Sequence, residues 1–226
     1  MTIKRLMLAL GLLIAPVALW AQGGSIDWSK RVTLSPTGGH VLGNPVAGTK
    51  LVEYVSYTCI HCANFTNQAG GALKLTFVRN GGMSVEVRNL VRDPADMAAA
   101  MLARCGGKDR FFGNHAALFA NYDAWMNQLQ GYVDLPAGAT PAQRMTDIAD
   151  KTGLFALMRG RGYTQAQLNA CIADKATLAT ILKMTEESGK RYHITGTPSF
   201  LLNGKLLDNV HDWTTLKAAL PVEARS

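Results

Sequence analysis

An apolar stretch from Leu6 to Trp20 opens the chain, with Lys4 and Arg5 before it and the small residue Ala21 after it. This is the pattern of a cleaved secretory signal, predicted over residues 1–21. An uncleaved anchor is the weaker reading, because a spanning helix needs ~17 to 25 apolar residues. Residues 22–30 are polar and contain glycine, which predicts a loose leader. Over Arg31–Leu42 an alternating pattern (Val32, Leu34, Val41, Leu42) is broken by Pro36 and Gly38-Gly39 and predicts one edge strand. Lys50–Tyr57 is nearly continuous in apolar and β-favouring residues, as a central strand covered on both faces requires. Phe65, Ala69, Leu73 and Phe77 then recur every four residues, a buried helical stripe, with a bend predicted at Gly70-Gly71 and a stop at Gly81-Gly82. Met83–Val91 alternates again and reads as a parallel strand completing a right-handed β-α-β unit.

From Asp93 the pattern turns helical. Asp93-Pro94, Thr140-Pro141-Ala142-Gln143 and Thr164-Gln165-Ala166-Gln167 are helix starts, the last two with the spacing of capping boxes. Leu118, Phe119, Tyr122, Trp125, Met126 and Leu129 form a helical stripe whose default role is core packing. A further helix is predicted from about Lys175 to Arg191. Ser199–Leu202, the turn Asn203-Gly204 and Lys205–Leu207 predict a β-hairpin, and Trp213, Leu216 and Leu220 a closing helix ended by Pro221.

Composition narrows the function classes. The whole chain of 226 residues carries a net charge of +7, which becomes +5 once Lys4 and Arg5 leave with the signal. So modest and unclustered a surplus argues against nucleic-acid binding. Four cysteines are too few to scaffold an exported chain of this size, so hydrophobic burial holds the fold and the cysteines serve chemistry or a single staple. Cys59 and Cys62 fall between the predicted central strand and the helix after it. A thiol at the first turn of a helix meets unpaired backbone N–H groups and the positive end of the helix dipole, which favour the thiolate that attacks disulfides. Haem attachment requires a histidine directly after the second cysteine, where this chain has Ala63. A structural zinc site lacks two further ligands at suitable spacing, since His40, His115, His193 and His211 are scattered singly. Copper(I) on Cys59 and Cys62 suits soft thiolates and is the non-enzyme alternative.

The order of elements, together with Tyr57-Thr58-Cys59-Ile60-His61-Cys62, Glu53 six residues before the first cysteine, the helical stretch and Gly196-Thr197-Pro198-Ser199-Phe200-Leu201-Leu202-Asn203-Gly204, resembles the DsbA-like branch of the thioredoxin superfamily. The resemblance implies an α/β thioredoxin fold: a central mixed sheet flanked by helices, with an inserted all-helical domain. On that reading residues 22–92 and 175–226 form the thioredoxin domain and residues 93–174 the insertion. It further implies a periplasmic thiol:disulfide oxidoreductase that needs no cofactor beyond its own disulfide. Such an enzyme acts on reduced or misoxidised exported proteins and is served by a quinone-linked membrane oxidase of the DsbB type.

Within that resemblance the residues take roles. Cys59 attacks and Cys62 resolves the mixed disulfide. His61, as imidazolium or N–H donor, would stabilise the Cys59 thiolate and make the disulfide more oxidising. Ile60 departs from the proline that relatives usually carry. Pro198 resembles the superfamily's cis-proline, and Thr197 presents backbone to substrate and a hydroxyl to Cys59. Many strong oxidases of the family have Val at that place and isomerases or reductases commonly Thr, so the direction of exchange stays open between oxidase and isomerase or reductase. Glu53 lies on the same strand face as Leu51 and Val55. Desolvation there should raise its pKa and let it exchange a proton with Cys62, the alternative being an ion pair with a buried Lys or Arg. Several relatives carry a second disulfide in the helical region, so Cys105 and Cys171 are expected to form a staple rather than remain two free buried thiols.

Overall fold

The computed structural model describes residues 26–221, so the predicted signal segment 1–21 lies outside them. Strands β1 (Val32–Leu34), β2 (His40–Gly43), β3 (Thr49–Val55), β4 (Met83–Asn89), β5 (Ser199–Leu202) and β6 (Lys205–Leu206) form one mixed sheet in the order β1-β2-β4-β3-β5-β6. Only β3 and β4 run parallel, joined by helix α1 (Ile60–Ala72).

Two expectations need correction near the start. The segment predicted as one edge strand is a hairpin of two, β1 and β2, with Gly38 at φ 82° in the turn, a conformation that favours a residue without Cβ. The segment predicted as a loose leader is partly ordered. Trp28–Lys30 form a 3-10 turn capped by Asp27, and the Trp28 N–H donates to the Arg79 carbonyl. In α1, Gly70 and Gly71 lie inside the regular helix. The winding changes just after them, over Leu73–Val78, where the hydrogen bonds widen to π-helical spacing.

The continuous apolar character of β3 follows from cover on both faces. Leu51 packs with Phe65, Phe77, Phe200 and Leu216 on the side of α1 and of α9 (Trp213–Ala219). Val52 and Tyr54 pack with Ile194 and Leu201 on the other side. All seven residues of β4 are buried, including the charged Glu86 and Arg88 on either side of Val87. Burying those charges is tolerable because they pair. Arg88 donates from Nε and Nη2 to the two Glu86 carboxylate oxygens at 2.7 and 3.0 Å, and from Nη1 to the Tyr54 hydroxyl at 3.1 Å.

Between β4 and the long helix α8 (Lys175–Tyr192) lie α2 (Pro94–Ala103), α3 (Lys108–Ala120), α4 (Tyr122–Gln130), α5 (Pro141–Lys151), α6 (Leu154–Gly160) and α7 (Gln165–Ala173). The Thr140 and Thr164 hydroxyls cap α5 and α7 through complete capping boxes with Gln143 and Gln167. Helix α2 is buried from Ala95 through Ala103, at the centre of a cluster that also contains Phe111, Leu118, Phe155 and Leu168. Cys105, just past α2, is disulfide-bonded to Cys171 of α7. The same hydrophobic cluster reaches Tyr57, Cys59 and Cys62. The dithiol therefore stands where the sheet and the helical region meet.

The returning chain closes the sheet. Asn203 and Gly204 take φ of 50° and 84° in the hairpin turn, as a tight reversal between twisted strands demands. The turn is tied to the start of β3, since the Asn203 N–H donates to the Lys50 carbonyl and the Lys50 N–H to Asn203 Oδ1, both at 2.8 Å. This fixes Thr197 and Pro198, immediately before β5, beside the end of β3 from which the dithiol follows.

Candidate active site

Cys59 is the N-cap of α1, with extended backbone (φ −96°, ψ 116°), and no side-chain cap bond forms while it is a neutral thiol. An N-cap side chain ordinarily accepts from the N–H groups of the second and third helical residues. Here those residues are His61 and Cys62. The cysteine spacing thus puts a sulfur where a helix start asks for an anionic acceptor.

The Cys59 thiol is lowered from 9.0 to about 5. The largest cause is a hydrogen bond from the Cys62 thiol. The Thr197 hydroxyl and the backbone N–H groups of Cys62 and His61 add to it, against the opposing cost of burial. One contact works the other way: the protonated Cys59 donates to the Thr197 carbonyl at 3.1 Å, a bond that ionisation forfeits. The several donors outweigh that one acceptor. The buried Thr197 hydroxyl has no partner while the dithiol is protonated and becomes a donor to the ionised sulfur.

Cys62 behaves oppositely. It is fully buried, against 6 % exposure for Cys59, and its pKa is pushed well above the ordinary thiol range, first by desolvation and then by the bond and charge it shares with Cys59. Both are free thiols in this structure. The two sulfurs are thus poised apart, one to ionise and one to keep its proton. His61 and Ile60 face outward, and the His61 imidazole makes no hydrogen bond among the described residues.

The Thr197-Pro198 peptide bond is cis. The Pro198 carbonyl accepts from His211 Nδ1 at 3.0 Å, and the Ser199 hydroxyl donates to the Gly196 carbonyl at 2.8 Å. His211 gave no sign of this place in the sequence, where it stands alone. Cys105 and Cys171, bonded to each other, take no part in the dithiol.

Comparison with known proteins fits this geometry. A family model described as thioredoxin matches residues 35–221. The chain belongs to the thioredoxin family. Within it the chain is DsbA-like. It is 35 % identical to a protein-disulfide isomerase from Novosphingobium aromaticivorans, with a TM-score of 0.78 over 84 % of this chain and 98 % of that one. It is 25 % identical to alpha-DsbA1 of Wolbachia pipientis, with a TM-score of 0.61 over 81 % of this chain and 83 % of that one. A Rickettsia typhi protein provisionally named a protein-disulfide oxidoreductase is 28 % identical over 170 residues, 75 % of this chain and 56 % of that protein. The chain thus spans about half the length of the curated relatives it matches.

Glu53 is a buried acid of β3, six residues before Cys59. It is 3 % exposed, its Oε1 has no hydrogen-bond partner, and no ion pair reaches it among the described residues. Desolvation raises its pKa from 4.5 to about 8. With Thr66, Val87, Phe112 and His115 it lines a cavity of about 480 Å³ that lies between α1 and α3. Among the described residues no cluster of three or more His, Cys, Asp or Glu is placed to hold a metal ion.

The isolated Glu53 makes stability depend on pH in a set direction. A carboxyl whose pKa is raised on folding favours the folded state while protonated, and that contribution is lost as pH climbs from about 4.5 to about 8. In the oxidised protein, where Cys59 does not titrate, Glu53→Gln should remove this slope. Denaturant unfolding at pH 5 and pH 9 should show the variant gaining on the parent by a few kcal/mol at the higher pH, at ~1.4 kcal/mol for each pKa unit. An identical pH dependence in the two proteins contradicts the assignment.

Proposed function

We propose that this protein is a periplasmic thiol:disulfide oxidoreductase that donates its Cys59–Cys62 disulfide to newly exported proteins. The observation that carries the reading is the divided dithiol: Cys59 capping α1 with its pKa lowered to about 5, and Cys62 buried with its pKa raised.

The reaction follows from that division. A substrate thiolate attacks the Cys59 sulfur, the bond to Cys62 breaks, and Cys62 leaves with the electron pair, to be protonated because its buried anion is costly. Glu53, buried and protonated below about pH 8, is the proton source this reading assigns to Cys62. A second substrate thiolate then attacks the substrate sulfur of the mixed disulfide and expels Cys59 as a thiolate. Two electrons pass from substrate to protein; of the two protons the substrate thiols release, one restores Glu53 and the other goes to solvent. A leaving group that is stable as an anion makes the last step favourable, and this is why the direction is donation. Substrate backbone pairs with Thr197 beside the cis bond, and the exposed Ile60 and His61 meet its side chains. A quinone-linked membrane oxidase of the DsbB type restores the disulfide.

Export is supported by the predicted signal over residues 1–21 and by the Cys105–Cys171 disulfide, of a kind that persists in oxidising compartments. No helix among the described residues is long and apolar enough to cross a membrane. Isomerisation is the second reading, favoured by Thr197 and by the name of the Novosphingobium neighbour. It uses the same two sulfurs on a substrate that is already misoxidised.

Mixing the oxidised protein with a reduced peptide carrying two thiols, and following both partners by mass spectrometry, tests the donor reading. The expected result is fast peptide oxidation, reduced to background by Cys59→Ser, with Cys62→Ser trapping a mixed disulfide once its Cys59 has been activated as a disulfide. Faster rescue of scrambled substrate than oxidation of reduced substrate would transfer the assignment to isomerase.

A further inference from the structure

Strands β3 and β4 are parallel, so the segments leaving their ends lie side by side, and the hydrogen bonds between those two segments are unusually dense. Ser56, Tyr57 and Thr58 lead into Cys59. Opposite them stand Arg92, Asp93 and Asp96, at and inside the start of α2, the first helix of the helical region. The Asp96 carboxylate is fully buried and accepts from the Ser56 hydroxyl at 2.6 Å, the Tyr57 N–H at 2.6 Å and the Arg92 N–H at 3.1 Å. Asp93 accepts from the Thr58 hydroxyl at 2.8 Å while its other oxygen caps α2 through the Asp96 N–H. Arg92 donates from Nε to the Ser56 hydroxyl at 2.9 Å and from Nη2 to the Thr58 hydroxyl at 3.1 Å. From α4, the Tyr122 hydroxyl donates to the Thr58 carbonyl at 3.2 Å.

A helix start alone needs much less. Asp93 already satisfies the cap of α2, yet Asp96 is held dry at the third position, and its acceptor capacity goes to the lead-in as well as to its own segment. Burying such a group is costly unless its bonds are made, and here two of the three are made to Ser56 and Tyr57 of the lead-in, while Asp93 and Arg92 hold Thr58. Both sulfurs hang on that segment. The Cys59 N–H donates to the Ser56 carbonyl at 3.2 Å, and the Ser56 backbone N–H is among the donors to the Cys62 sulfur.

We propose that Asp96, with Arg92 and Asp93, is a positioning device of the helical region that fixes Ser56–Thr58 so that the start of α1 presents its N–H groups to the Cys59 sulfur. The catalytic consequence rests on the oxidoreductase reading, whereas the positioning itself is read on the thiol. Burial raises the Asp96 pKa from 3.8 to about 7, so around pH 5, where Cys59 titrates, Asp96→Asn removes little charge. What charge it does remove would ease Cys59 ionisation and lower the midpoint. The amide donor set against the Ser56, Tyr57 and Arg92 donors loosens the lead-in, which raises the midpoint. Thr58→Val removes the anchored hydroxyl at nearly constant shape and charge.

Titrating Cys59 by ultraviolet thiolate absorbance in the full reduced protein separates these outcomes. The expected result is an upward shift of about half a unit or more in both variants, a roughly threefold fall in the thiolate-to-thiol ratio. An unmoved or lowered midpoint in a folded variant overturns the proposal, even where denaturation shows lost stability. Should Asp96→Asn not fold, Thr58→Val decides alone. A parent protein whose own midpoint is that of an ordinary thiol would instead count against the proposed function.

Discussion

The structure turns on one short-range interaction, that between the first backbone N–H groups of α1 and a sulfur. Four N–H groups at a helix start have no partner within the helix, and most proteins satisfy them with a hydroxyl or a carboxylate. Here the capping position holds Cys59, so the helix start is best satisfied when that thiol has lost its proton. The second cysteine, three residues on, donates its own thiol proton to the first and contributes its N–H. The spacing is therefore set by helix geometry.

Much of the remaining architecture serves to hold that contact in place. The sheet supplies β3, which ends just before the dithiol, and β5, which begins just after the cis bond. The helical region supplies the apolar cluster that buries Cys62, together with the carboxylates of Asp93 and Asp96 that grip the lead-in. On the proposed reading, a region that looks like an addition to the thioredoxin fold is part of the apparatus that tunes the sulfur. The buried Glu53 titrates high for the same reason as Cys62, desolvation.

The redox pair, the strand before it, the hairpin after Pro198 and the capped helices were legible because each carries a local rule: period, cap or turn chemistry. Glu53 stood out because an acid in an apolar strand breaks its pattern. What sequence hid was contact at a distance. His211 touches the Pro198 carbonyl only because the hairpin and α9 fold back over it. Asp96 occupies an ordinary acidic position in the first turn of a helix, and its bonds to Ser56 and Tyr57 depend on the parallel pairing of β3 and β4. The split of the predicted edge strand into β1 and β2 was missed since three- and four-residue strands hardly show alternation. His61, conspicuous in the motif for its ring, contributes its backbone N–H to lowering the Cys59 pKa.

The central claim is that the folded chain prefers its two sulfurs reduced, one of them ionised. Equilibrating the purified protein with glutathione over a wide range of oxidised to reduced ratios, then trapping free thiols with a maleimide, measures that preference directly. The account predicts that the Cys59–Cys62 pair stays largely dithiol even where the buffer is mostly oxidised glutathione. A pair that closes to the disulfide while reduced glutathione is still in large excess would contradict it.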